Sequence, residues 1–260
     1  MILPISDDNT GRATTPFVNY VLIAANIVVF VFFQHMGSDE RFTYAWATVP
    51  YEIAKGVDVD KPVVVKDPVT NEVVGRIDLQ PTPGSVYLTL LISMFMHGGW
   101  AHIGGNMLFL WIFGDNLEDR VGHVRYLIFY LVCGVIASLA HVFTTVAFGA
   151  NPYVPSLGAS GAISGVLGGY VLLYPRNRVH VLIFRIFTTV PAYVALGLWF
   201  LFQFISGIGM LGRGAQEGGG VAYAAHIGGF IAGLALVKLF AAGRPASSAP
   251  TARARWGGGG

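Results

Sequence analysis

The chain has 260 residues, 54% of them hydrophobic and 12% charged, about half the ~25% charged share of a soluble globular domain. A net charge of +2 offers no basic surface for nucleic acid, and a single cysteine, Cys133, excludes an internal disulfide or a cysteine metal cluster. The charges also avoid several long apolar stretches, as in a polytopic membrane protein.

A helix needs about 20 apolar residues to cross a hydrocarbon core of ~30 Å, and residues 17–34 meet that requirement. The stretch ahead of them is polar and carries Asp7 and Asp8 in place of a basic leader. It reads as a cytoplasmic segment, 1–16, before an uncleaved first span. A polar insertion follows at about 51–84. Within it Pro62-Val-Val-Val65 and Val73-Val74 flank a turn-like stretch at 67–71, which predicts a β-hairpin outside the membrane.

Apolar character resumes at 86–113, too long for one ordinary span and interrupted by His97-Gly98-Gly99. The first part, 86–100, reads as an interfacial or re-entrant segment, and a span begins near His102. Further spans are predicted at 126–148, 160–174, 190–208 and 222–240. Residues 179–188 are apolar but carry Arg185 and read as interfacial. The fold expected is an all-α, six-span bundle with a membrane domain over 17–241 and a disordered cytoplasmic tail over 242–260. The fifth span, with Trp199, Phe200, Phe202 and Phe204, is expected to form a lipid-facing wall.

Basic residues in short loops set the orientation. Arg12, Arg120, Arg125, Arg176, Arg178, Arg185, Lys238 and the tail arginines fall on one side, and only Arg213 on the other. Both termini therefore face the cytoplasm and the insertion faces outward. Short cytoplasmic ends on six spans point to a bacterial inner membrane.

Polar residues inside spans are costly and call for a functional reading. His102 and Asn106 on the second span, Ser160 on the fourth and His226 on the sixth stand out. Ser160 lies ~22 Å along its helix from the stop at Pro175, and His226 about 18 Å from Lys238. Both then sit at similar depth, Ser160 roughly 8 Å below the outer face. A serine hydroxyl becomes a useful nucleophile when a base takes its proton, and His226 is placed to do so. Every Asp and Glu is expected in a loop or terminal segment, so a Ser–His dyad is favoured over a triad. His102 and Asn106, spaced i, i+4 on one helix face, together with the Ser160 backbone N–H, can donate to an oxyanion. Gly161, Gly165 and Gly169 on the fourth span and Gly229 and Gly233 on the sixth form small-residue stripes. Such stripes let two helices approach closely, making these spans neighbours. His97, Ser164 and Cys133 read as structural.

The stretches His102-Ile-Gly-Gly-Asn106, Gly158-Ala-Ser-Gly161 and Ala225-His-Ile-Gly-Gly-Phe-Ile-Ala-Gly233 resemble, in order, the HxxxN, GxSG and AHxxGxxxG motifs of the rhomboid protease family. Gly114-Asp-Asn-Leu-Glu118-Asp-Arg-Val-Gly122 resembles the family's GxxxExxxG element, placed here after the second span. The resemblance implies a nucleophile at Ser160, a general base at His226, and an oxyanion site at His102, Asn106 and the Ser160 N–H. It implies cleavage of single-span membrane proteins near the outer face of the bilayer, without metal or cofactor. Some relatives carry a tyrosine four residues after the nucleophile, stacked on the histidine, where this chain has Ser164.

Two other classes compete. A catalytically inactive rhomboid-like binder of transmembrane proteins would generally lack the serine or histidine, and both are present. A transporter would place ionisable groups at mid-membrane, whereas these polar residues gather near one face.

Overall fold

The computed structural model describes residues 2–66, 72–183, 185–211 and 220–244. The turn at 67–71, Arg213 and the tail beyond Arg244 lie outside the described residues. Strand β1 (Ile2–Asp7) is followed by helix α1 (Phe17–Val28), which continues through a π-helical turn, Val29–Phe33. Short helices α2 (Glu40–Trp46) and α3 (Pro50–Lys55) come next. The carboxylate of Asp39 accepts the Phe42 N–H at 2.9 Å and so starts α2. Pro50 opens α3 and Gly56, in a left-handed conformation, ends it. Strands β2 (Val63–Lys66) and β3 (Val73–Ile77) pair antiparallel, as the hairpin reading predicts.

Helix α4 (Thr89–Ile92) lies within a short helical segment, Val86–Phe95, that meets α5 (Trp100–Val121) at 79°. Then come α6 (His123–Ala147), α7 (Ser160–Leu173), strands β4 (Arg178–Ile183) and β5 (Ile186–Pro191), α8 (Ala192–Leu211) and α9 (Gly220–Ala241). Among the described residues two helices, His123–Ala147 and Tyr223–Ala241, are long and apolar enough to cross a membrane, and the bent pair makes a third if it counts as one span. Phe17–Phe33, Ser160–Leu173 and Ala192–Ser206 are shorter apolar helices.

Two expectations are corrected. The protein is mostly helical rather than all-α, because β1, β4 and β5 form a three-stranded antiparallel sheet in that order. Residues 179–183 of its middle strand and the first half of β5 fall in the stretch 179–188 that reads as interfacial. Val179 and Val181 are buried while Arg178 and His180 are exposed, a period-two pattern that suits a strand. The motif Gly114–Gly122 is not a loop element: residues 114–121 form the last two turns of α5 and Gly122 caps it. Asp115, Asn116 and Glu118 are therefore buried helix residues rather than loop residues.

That end of α5 is built by polar contacts. The Glu118 carboxylate accepts the backbone N–H groups of Val18 at 2.9 Å and Asn19 at 2.6 Å, capping α1 from a distant element. A Cβ at Gly114 would collide with the Asn19 side chain and the Tyr126 hydroxyl, which bond each other at 2.8 Å. Gly122 turns the chain into α6 at a φ of +86°. Arg12 pairs with Asp115. Arg120 donates to Ala241 O at 3.2 Å and Arg125 to Phe240 O at 3.2 Å, the last carbonyls of α9, and Arg125 also to Ala242 O just beyond it at 2.7 Å. Arg12, Arg120 and Arg125 thus gather at one end, where the last two complement the C-terminus of α9.

The core is the contact of α7 with α9 and α6. Cβ atoms at Gly229 and Gly233 would overlap the carbonyl oxygens of Gly161 and Gly165, so the predicted stripes do meet, backbone on backbone. The stripe then shifts: Gly168 lies against the Phe230 backbone, while Gly169 faces Val237 and Phe129. Cys133 is buried against Gly165, as a small core residue. At the base of α8, the N–H groups of Ala192 and Tyr193 bond Asn177 O at 2.9 Å and Pro175 O at 3.0 Å. These contacts tie the first turn of α8 to the turn between α7 and β4.

Candidate active site

Helices α5, α7 and α9 run parallel and begin at the same end, opposite the arginine cluster. Ser160 opens α7, His102 lies in the first turn of α5, and His226 in the second turn of α9. The glycine contact holds α9 against α7 in a register that sets His226 Nε2 2.8 Å from Ser160 Oγ. That is hydrogen-bond distance for proton transfer. Ser164, one turn further along α7, donates its hydroxyl back to Ser160 O at 2.7 Å, a common structural use of a serine inside a helix.

The loop ahead of Ser160 is clamped on both sides. Thr48 and Ser156 exchange backbone hydrogen bonds of 2.9 and 2.8 Å, and the Gly158 N–H bonds Ser93 O at 2.9 Å. The Thr48 and Ser93 hydroxyls are themselves paired at 2.9 Å. The bent segment Val86–Phe95 thereby holds the approach to the nucleophile. Gly158 has a φ of +130°, and a Cβ there would lie 2.9 Å from His102 Nε2 and 3.7 Å from Ser160 Oγ. A side chain at this point would therefore press on the His102 ring.

His102 Nδ1 accepts the Gly98 N–H at 3.2 Å. A neutral imidazole accepting at one nitrogen carries its proton on the other, so Nε2 of His102 is a donor toward the Gly158–Ser160 edge. Asn106 is buried, and its amide nitrogen has no hydrogen-bond partner among the described residues. An unused buried donor is uncommon and asks for a ligand. The Ser160 N–H lies in the first turn of α7, where N–H groups have no acceptor within the helix.

His97 packs edge-on to His102 at 5.1 Å between ring centroids. Its backbone is pinned by Gln34, which accepts from His97 N at 2.7 Å and donates to His97 O at 3.1 Å. Among the described residues, no group of three or more His, Cys, Asp or Glu side chains converges as a metal site.

Two features were missed in the sequence. Nδ1 of His226 lies 2.9 Å from Oε1 of Gln203 on α8, a polar residue inside an expected apolar span that the rule applied to the other four would have flagged. The expected lipid-facing wall is also only half right. Phe202 and Phe204 are exposed. Trp199 and Phe200 turn inward, Trp199 to 6.1 Å from the His226 ring and Phe200 to a 4.4 Å stack on Phe230. Tyr223 meets His226 edge-on at 6.4 Å. The His226 ring is thus bordered by aromatics of α8 and α9 where a tyrosine at position 164 is absent.

A sequence model of the Rhomboid domain matches residues 84–243. The chain is 32% identical over 148 residues to Rhomboid protein 1, mitochondrial, of Saccharomyces cerevisiae, covering 56% of this chain and 40% of that protein. It is 35% identical over 144 residues to Rhomboid protease GluP of Bacillus subtilis, 55% of this chain and 24% of that protein. It is also 35% identical over 99 residues to Presenilin-associated rhomboid-like protein, mitochondrial, of Mus musculus, 38% and 26% respectively. The chain spans less than half the length of each of these relatives. The mitochondrial names among them run against the bacterial inner membrane expected from the sequence. What stands is a membrane protein with apolar helices.

Proposed function

The chain belongs to the rhomboid family, and we propose that it is an intramembrane serine endopeptidase cleaving single-span membrane proteins near the outer face of the bilayer. The observation that carries this reading is the 2.8 Å contact between Ser160 Oγ and His226 Nε2. In the first step Ser160 Oγ attacks the scissile carbonyl carbon while His226 Nε2 takes the hydroxyl proton. The carbonyl oxygen becomes an oxyanion held by His102 Nε2–H, the Asn106 amide and the Ser160 N–H. Collapse of the tetrahedral intermediate breaks the C–N bond, and His226 returns the proton to the leaving amine. Water, activated by the same histidine, then hydrolyses the acyl-serine and restores the enzyme.

The frame of this reading is six spans, formed by α1 with its π-helical turn and by α5 to α9 without a further helix. The membrane domain covers 17–241, with segment 1–16 and tail 242–260 cytoplasmic and the hairpin-bearing insertion outside. Helix α7 has 14 residues, about 21 Å of rise, so it falls short of a ~30 Å core. Ser160 then sits below the outer face in a depression that water can enter, with Val86–Phe95 lying partly in the membrane beside α5.

The test compares the protein with Ser160→Ala and His226→Ala on a fluorescent single-span substrate in detergent or liposomes. Cleavage by the parent, lost in both folded variants, is the expected result. Equal turnover in the variants would sink the mechanism. No cleavage of several substrates, with no labelling of Ser160 by a serine-reactive probe, would move the reading to an inactive binder of transmembrane proteins.

A further inference from the structure

An imidazole used as a base toward serine must present a bare nitrogen to the hydroxyl, and a neutral ring has one bare and one protonated nitrogen. Nothing in the ring itself decides which is which. In this protein the second nitrogen of His226 meets a side-chain amide, Oε1 of Gln203 at 2.9 Å. A carbonyl oxygen only accepts, so Nδ1 must carry the proton, and Nε2 is left bare 2.8 Å from Ser160 Oγ. If the amide were turned over, its NH₂ would donate to Nδ1 and the proton would move to Nε2. Ser160 Oγ would then face a donor and lose its base. The orientation of one neutral amide therefore decides whether the dyad is armed.

Gln203 follows Trp199 by four residues on α8, so the two share a helix face, and both reach His226. Leu201, Phe202, Phe204 and Ile205 around them are exposed. An amide is an expensive choice in an otherwise apolar span, and the His226 contact accounts for it. Among the described residues, the acidic side chains of α5 (Asp115, Glu118 and Asp119) lie at the far end of that helix from His102. The place that a carboxylate holds in a serine triad is taken here by this glutamine.

We propose that Gln203 is a positioning residue that fixes His226 in the tautomer with Nε2 free for Ser160, and that it does so from α8. This deepens the serine protease reading and rests on it. Loss of a neutral hydrogen bond of this kind corresponds to about a tenfold change in rate.

The experiment has two independent readouts on the full-length protein. Nitrogen-15 NMR of histidine-labelled protein, with the His226 signals assigned by loss in His226→Ala, reads the tautomer without needing turnover. Kinetics on a single-span substrate compare the parent with Gln203→Leu and Gln203→Glu, with Ser160→Ala as control. The expected results are a protonated Nδ1 and bare Nε2 in the parent, and a roughly tenfold lower kcat in Gln203→Leu with KM changed less than twofold. Recovery of most of kcat is expected in Gln203→Glu, whose carboxylate can only accept. A proton on Nε2 in the parent, or parental kcat in Gln203→Leu, overturns the proposal. If Ser160→Ala cleaves as the parent does, the protease reading itself has failed. If no substrate is cleaved, or Gln203→Leu does not fold, the tautomer measured in the parent decides alone.

Discussion

Gly233 packs so closely on Gly165 that a methyl group at Gly233 would overlap the carbonyl oxygen of Gly165. The atom in the way is backbone, which cannot swing aside, so α9 as a whole must move. Gly233→Ala is expected to destabilise the protein by about 1–3 kcal/mol and to lower cleavage further by carrying His226 away from Ser160. Gly197→Ala on α8 is the control: nothing lies within 4 Å of a Cβ there, and stability and activity should hold. Thermal unfolding in detergent alongside cleavage rates checks both.

Asn106 offers a buried amide nitrogen with no partner among the described residues. Its removal should therefore cost little in the resting protein and much in the transition state. Asn106→Ala is expected to lower kcat by about 10²- to 10³-fold with the melting temperature little changed. A large loss of stability with unaltered kcat would assign Asn106 to helix packing instead.

Glu118 caps α1 through two backbone N–H groups from a fully buried position. In Glu118→Gln one amide oxygen still accepts, but the NH₂ group faces the second N–H and leaves a buried donor unpaired. A loss of about 1–3 kcal/mol is expected. It should be read as a lower unfolding temperature with the α1–α5 contact weakened, while the Ser160–His226 pair at the opposite end stays intact.

Glu52 supplies the pH dependence. Burial lifts its carboxyl from 4.5 to about 7, the nearby Asp58 adds to this, and the hydrogen bond from the Val59 N–H opposes it. The folded state then holds a proton that the unfolded chain has released. Stability is fully present below about 4.5 and is lost as pH rises toward about 7, with no further change above. Asp7, raised to about 7 mainly by burial, acts in the same sense. The test is therefore a difference: melting temperatures from pH 4.5 to 8 should fall less steeply in Glu52→Gln than in the parent.

Much of this was legible because membrane helices announce themselves by long apolar runs, and because a polar residue in such a run needs a reason. Ser160, His226, His102 and Asn106 were found that way, and the glycine stripes placed α7 against α9. The β2–β3 hairpin was legible from its local valine runs and turn. Strand β1 was not, because its partner lies more than 170 residues away in register with Ile183 and Val179, and no local pattern encodes such pairing. The α5 acids were misplaced for a related reason. A run containing Asp115, Glu118 and Asp119 reads as the end of a helix until Arg12, the α1 N–H groups and the N–H groups of Ala13 and Thr14 arrive to satisfy those three carboxylates in turn. Gln203 was visible but passed over, since a base pairs with a glutamine only when a third helix brings it there.

The pinning of Ala192 and Tyr193 to the turn between α7 and β4 gives α8 the mechanics of a lever. Its fulcrum is at the buried Ala192, and about 16 Å of helix separates that point from Gln203. A tilt of about 10° would sweep the Gln203 amide through about 3 Å, more than a hydrogen bond tolerates. It would displace Ala195 and Leu196, near the fulcrum and buried, by roughly a third of that. Were a substrate to wedge α8 outward to reach Ser160, it would unlatch the histidine on entry, and the helix would have to swing home before the bond could be cut.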